Sequence, residues 1–120
     1  MADPRTRTTI PAPGARVRGS RTGRPVMALL DLLGRRWVLR ILWELRDARA
    51  ASFRELQARC DDVSSSVLNQ RLRELRAAGI LTTGTRSGYE LTAEGRNLLR
   101  ALGGLDAWAA RWAKRAPGAP

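Results

Sequence analysis

The chain has no histidine and a single cysteine, Cys60, among its 120 residues. An intrachain disulfide is therefore impossible, and neither a zinc site nor a histidine-based catalytic triad can be assembled from its own side chains. No cofactor and no metal are expected. A lone thiol fits a reducing, cytoplasmic compartment. No stretch approaches the ~20 apolar residues that span a bilayer, because Asp31, Arg35 and Arg36 interrupt the most apolar region; no membrane partner is expected. The first residues are arginine-rich, as some organelle-targeting peptides are, but Pro4, Pro11, Pro13 and Gly14 oppose the amphipathic helix such peptides need. They also lack the apolar stretch of a secretory signal, so neither kind of leader is expected. The acids are scattered, with no pair placed for acid–base work, and no glycine-rich phosphate loop follows a strand, so an enzyme is the least supported class.

Positive charge is what the chain has in excess. Lys plus Arg total 22 against 11 Asp plus Glu, a formal charge of +11, which favours a polyanionic partner, most commonly nucleic acid. Only Lys114 is a lysine. Arginine grips phosphate and guanine through two parallel hydrogen bonds where lysine acts as a point charge. Codon usage in a GC-rich genome would give the same bias, so the charge alone does not decide the ligand. The length suits one domain with one core.

Residues 1–24 carry Arg5, Arg7, Arg16, Arg18, Arg21 and Arg24 against Asp3, mixed with Pro, Gly, Thr and Ser. This reads as a disordered basic arm, either a solvated tail or a segment laid along phosphates or a minor groove. Residues 25–115 read as the folded domain and 116–120 as a disordered tail. Val26, Leu29, Leu30 and Leu33 fall at helical spacing behind Pro25, with a break at Gly34. Trp37, Val38, Ile41, Leu42 and Leu45 give a second helix ending near Arg46, with Arg36 and Arg40 outside. After a connector at 48–51, Ser52 and Glu55 stand in the S-x-x-E spacing of a capping box, and Phe53, Leu56 and Cys60 share the inner face of a third helix. Cys60 is expected to serve as a small core hydrophobe.

Asp61, Asp62 and Val63 make a three-residue turn, Ser64 is the expected N-cap, and Leu68, Leu72 and Leu75 anchor a fourth helix over residues 64–78, ended by Gly79. At about 100° per residue, Ser66, Gln70 and Arg73 point away from those leucines, flanked by Ser65 and Asn69. These side chains can hydrogen-bond base edges, although an ordinary solvated helix face looks the same in isolation. Residues 80–83 are rich in β-formers; a loop of Gly84, Thr85, Arg86, Ser87 and Gly88 and a return strand through Tyr89 and Leu91 complete a hairpin. Arg86 sits at its tip, either a solubilising charge or a contact to phosphate or the minor groove. Thr92 can cap a last helix with Glu94 in its first turn, and Leu98, Leu102, Leu105, Ala109 and Trp112 form one stripe beside Trp108. Gly103 and Gly104 weaken its middle and offer a place to kink. An apolar face this long needs cover, from a second copy of the chain or from the first helix of the same chain. The expected fold is mainly α with a small β-hairpin wing, a winged helix-turn-helix.

This order of residues resembles the HxlR-type winged helix-turn-helix transcriptional regulators of bacteria and archaea. The likeness rests on Pro25 and Val26, on Leu30-Asp31-Leu32-Leu33-Gly34 followed by Arg36-Trp37, and on Phe53-Arg54-Glu55-Leu56. It continues through Val67-Leu68-Asn69-Gln70-Arg71-Leu72-Arg73-Glu74-Leu75, Gly79-Ile80-Leu81 and Tyr89-Glu90-Leu91-Thr92-Ala93-Glu94-Gly95. It covers about residues 25–112. The resemblance implies a homodimer held by the first and last helices, with two recognition helices in successive major grooves of a pseudo-palindromic duplex operator. It implies Ser65, Ser66, Asn69, Gln70 and Arg73 at the groove, Arg54 and Arg36 at phosphates, Arg86 as the wing contact, and Val26, Leu29, Leu30, Leu105, Trp108 and Trp112 between subunits. Two features depart from the family. Many members carry a cysteine just before the Pro-Val pair, used by some to sense oxidants or electrophiles; Arg24 stands there in this chain, so thiol switching at that position is excluded. The wing is also shorter than usual.

The expected partner is double-stranded DNA, in a cytoplasmic, nucleoid-associated setting. A small-molecule effector is compatible with this plan and is identified by no motif. The main rival is a basic RNA- or ribosome-associated winged-helix protein. Such a protein would be expected to display stacking aromatics, whereas Phe53, Tyr89 and the four tryptophans fall on predicted core, strand or dimer faces. A winged helix that binds an acidic protein patch is a second rival.

Overall fold

Pro25, tolerated at the first helical position because its missing N–H would have no partner there, opens helix α1 (Pro25–Leu33), which buries Ala28, Leu32 and Leu33. The computed structural model describes residues 24–47, 49–84 and 88–118. The expected basic arm other than Arg24, the wing-tip Arg86 and the last two residues lie outside these. The chain leaves α1 through Gly34, whose N–H donates to Leu30 O at 2.9 Å, and re-enters a helix at Trp37. Trp37 has a left-handed φ of 76°, uncommon for a non-glycine residue, and its half-buried ring packs against the core. Helix α2 (Val38–Glu44) therefore begins after Trp37 and ends before Arg46. Val38, Ile41, Leu42 and Leu45 are fully buried.

Helix α3 (Phe53–Arg59) begins at the capping box: Glu55 N donates to Ser52 Oγ and Ser52 N to Glu55 Oε1, both at 3.1 Å. Helix α4 (Ser65–Ala77) is capped by Ser64 and released by Gly79 at φ 77°, a conformation that glycine adopts without strain. Strands β1 (Leu81–Thr83) and β2 (Tyr89–Leu91) pair antiparallel, Leu81 opposite Leu91 and Thr83 opposite Tyr89. Ile80 precedes the strand and is buried. The connector before α3 contributes to this small sheet, since Ala51 and Tyr89 exchange both backbone hydrogen bonds, at 2.9 and 2.7 Å.

Helix α5 (Ala93–Arg115) starts at Thr92, whose Oγ1 accepts from Gly95 N at 3.0 Å and donates to Gly79 O at 2.6 Å. The cap thus ties the start of α5 to the end of α4. A Cβ on Gly95 would lie 2.3 Å from Ile80 O, so only glycine permits that approach. The helix runs unbroken through Gly103 and Gly104. Glycine lowers helix propensity by roughly 1 kcal/mol, and neither glycine has an atom within 4 Å of its Cβ position.

The core lies where α2, α3, α4 and the hairpin meet, around Ile41, Leu42, Leu45, Leu56, Leu68, Leu72 and Leu75. Leu98, Leu99 and Leu102 from the first half of α5 pack against it.

Candidate nucleic-acid interface

The turn between α3 and α4 is built from two consecutive left-handed residues, Asp61 at φ 55° and Asp62 at φ 56°, positions that aspartate tolerates better than most side chains. Gln57 spans this turn: its Nε2 donates to Val63 O at 2.9 Å and to Ser65 Oγ at 3.1 Å. The angle between the helices is thereby held from both sides of the turn. Beneath it Cys60 is fully buried, and burial pushes its thiol pKa up, as expected for a core thiol and opposite to the shift a reactive one needs.

Helix α4 has three surfaces. Leu68, Leu72 and Leu75 are buried. Ser65, Ser66, Asn69 and Arg73 are exposed and Gln70 is half-buried, with Arg73 Nη2 donating to Gln70 Oε1 at 3.1 Å. The third surface was not legible in the sequence. Glu74 is fully buried, its Oε2 receiving Arg35 Nη1 at 2.6 Å and its Oε1 receiving Arg71 Nη1. Arg35 also bonds Asp31 at 3.0 Å, and Arg71 Nε donates to Arg36 O at 2.8 Å. Burial opposes the charge on Arg35, and its hydrogen bonds to Glu74 and Asp31 outweigh that, raising its pKa. The cluster fastens α4 to the α1–α2 turn by charge-assisted bonds on a flank with no leucine. The Arg71–Glu74 spacing of i, i+3 was the available signal, but it does not reveal a partner 39 residues away.

The sequence model of the HxlR-like helix-turn-helix family matches residues 32–117. The chain belongs to that family. It is 34% identical over 89 residues to the uncharacterized HTH-type transcriptional regulator YvaP of Bacillus subtilis (strain 168), covering 69% of this chain and 82% of YvaP. Among solved structures it resembles the quinone-bound YodB of B. subtilis (29% identity, TM-score 0.66, 72% of this chain and 94% of that one). It also resembles the HTH-type transcriptional regulator ytcD (31% identity, TM-score 0.63, 75% and 97%). These place the chain among helix-turn-helix transcriptional regulators with a winged-helix fold, and in this chain two helices joined by a short turn, α3 and α4, stand directly before the β1–β2 hairpin.

In this HxlR-like chain Arg36 and Arg54 are exposed. Val26, Leu30, Leu105, Trp108 and Trp112 are each more than half exposed, while Leu29 is half-buried against the core. Trp108 and Trp112 stack with ring centroids 5.8 Å apart and planes 12° from parallel. Leu39 and Trp43 on α2 are also exposed; the sequence placed Trp43 with the other tryptophans on core, strand or dimer faces, and it does not enter the core. Leu39 and Trp43 line a groove of about 520 Å³ with Leu99, Leu102, Leu105 and Ala109 of α5. Arg46 lies 4.0 Å over the Trp43 ring at its edge, a cation–π arrangement. Among the described residues no helix is long and apolar enough to cross a membrane.

Proposed function

We propose that this protein is a sequence-specific transcriptional regulator that binds duplex DNA as a homodimer, on an operator with approximate two-fold symmetry. The observation that carries the reading is the outward flank of α4. Ser65, Ser66, Asn69, Gln70 and Arg73 stand opposite a fully buried leucine stripe, on the second helix of a helix-turn-helix, where such helices present side chains to the major groove. Arg36 and Arg54 would meet phosphates and fix register rather than sequence. Arg86, outside the described residues, is the proposed wing contact. Val26, Leu30, Leu105, Trp108 and Trp112, with Leu29 at the edge, form the proposed subunit interface, because an exposed apolar surface of this kind is stabilised by covering it. The protein would act in the cytoplasm, at the nucleoid.

Selection of bound sequences from a random duplex pool tests this. The expected product is a two-fold symmetric motif with half-sites about one helical turn apart. A pool that emerges unenriched, or a preference for structured RNA over duplex DNA at the same salt concentration, would refute it.

A further inference from the structure

The outward flank of α4, read as the DNA-binding face, does not offer donors and acceptors equally. Arg73 Nη2 donates to Gln70 Oε1. Only the oxygen of an amide can take that bond, so the arginine fixes which way the amide faces and leaves the two N–H bonds of Nε2 turned to other partners. A guanidinium carries five N–H donors and no acceptor, and Arg73 spends one of them on Gln70. One turn earlier the Ser65 oxygen already accepts from Gln57 Nε2 at 3.1 Å. Two acceptors of the reading surface thus each already take one bond from a donor of the same chain, leaving one lone pair apiece.

The consequence lies in base chemistry. An unpaired glutamine reads adenine because its oxygen accepts from N6 while its nitrogen donates to N7. At Gln70 that oxygen is held by a cation, so an amino group of adenine or cytosine approaching it meets positive charge. A base acceptor instead meets N–H bonds from both side chains. We propose that Gln70 and Arg73 form one reading unit that the shared cation biases toward donating, taking guanine N7 and O6 under Arg73 and guanine or thymine on the same strand at the neighbouring pair under Gln70. Arg73 is then a positioning residue as well as a reader: it disfavours adenine at Gln70. This rests on the duplex-reading role proposed above and specifies what that role recognises.

The test is duplex selection with the full chain as wild type, Gln70→Ala and Arg73→Ala, with circular dichroism to show that each variant is folded. The base pair whose preference is lost in Gln70→Ala is then randomised with the rest of the motif held constant. Wild type is expected to take guanine or thymine there on the strand that carries the Arg73 guanine, with adenine disfavoured roughly tenfold or more. Arg73→Ala releases the Gln70 oxygen, and the same position is expected to turn to adenine. Adenine at that position in wild type, an unchanged preference in Arg73→Ala, or no position that depends on Gln70 would each overturn the inference while a symmetric motif left the duplex-reading role standing. A folded wild-type chain that enriches no sequence would bring down that role and this inference with it.

Discussion

Helix α4 and the distal half of α5 both leave a row of side chains in water, and the two rows are of opposite chemistry. The bare flank of α4 carries Ser65, Ser66, Asn69, Gln70 and Arg73, while that of α5 carries Leu105, Trp108 and Trp112. Polar groups lose little by standing hydrated and can exchange water for base edges when a groove arrives. Apolar groups gain about 25 cal/mol for each Å² removed from water, so the α5 row is stabilised only when something covers it. The supports differ too. The far side of α4 is fixed by three buried leucines and by Glu74 between two arginines. The proposed reading and pairing surfaces therefore lie on separate helices, and substitutions should separate them.

The largest expected effect comes from the support of α4. Glu74→Ala leaves Arg71, largely covered, without its carboxylate and Arg35 with that of Asp31 in place of two, and should lower stability in denaturant unfolding by about 3 kcal/mol. A loss under about 1 kcal/mol would mean that the cluster is incidental to how α4 is held. The next largest effect concerns α5. Replacing Trp108 and Trp112 together by alanine should convert a dimer to a monomer in analytical ultracentrifugation, at a cost of roughly 2 kcal/mol or more per tryptophan. Helical content and binding to an isolated half-site should persist. An unchanged oligomeric state would show that the apolar row is not the interface.

Smaller effects sharpen the picture at the helix-turn-helix itself. Ser52→Ala removes the cap of α3 and should cost about 1 kcal/mol. The Glu55 carboxyl in that capping box is held below its ordinary pKa, chiefly by the backbone N–H of Ser52 and also by its hydroxyl and by Arg59. A carboxylate whose pKa is depressed on folding contributes stability that is complete above its unfolded pKa and lost as pH falls through the folded one. The stability difference between wild type and Glu55→Gln should accordingly be constant near neutrality and shrink in acid; a difference that grows in acid would contradict the box. Last, Cys60 should react with an aromatic disulfide roughly tenfold or more slowly than free glutathione, since its thiol is buried and its thiolate disfavoured.

These regions also differ in how readily the sequence discloses them. The caps at Ser52, Ser64 and Thr92 were legible because their chemistry is local: each side chain bonds a backbone N–H three residues on. The leucine stripe of α4 was legible because a helix repeats every 3.6 residues. Trp37 and Glu74 were not. A left-handed tryptophan carries no compositional mark of its conformation, and a glutamate beside polar neighbours looks solvated until the turn that covers it is known. The exposure of Leu39 and Trp43 was not legible for a related reason: α2 is apolar on more than one side, and periodicity does not say which side the core takes.

Reading of sequence by this protein requires α4 to meet base edges rather than only the phosphate backbone. The most direct measurement is the affinity of Asn69→Ala and Gln70→Ala for the selected duplex and for an unrelated duplex, at one salt concentration. Direct readout predicts a loss of about 1–3 kcal/mol on the selected sequence and almost none on the other. Equal losses on both would assign these side chains to the backbone and contradict the proposed reading of sequence by α4.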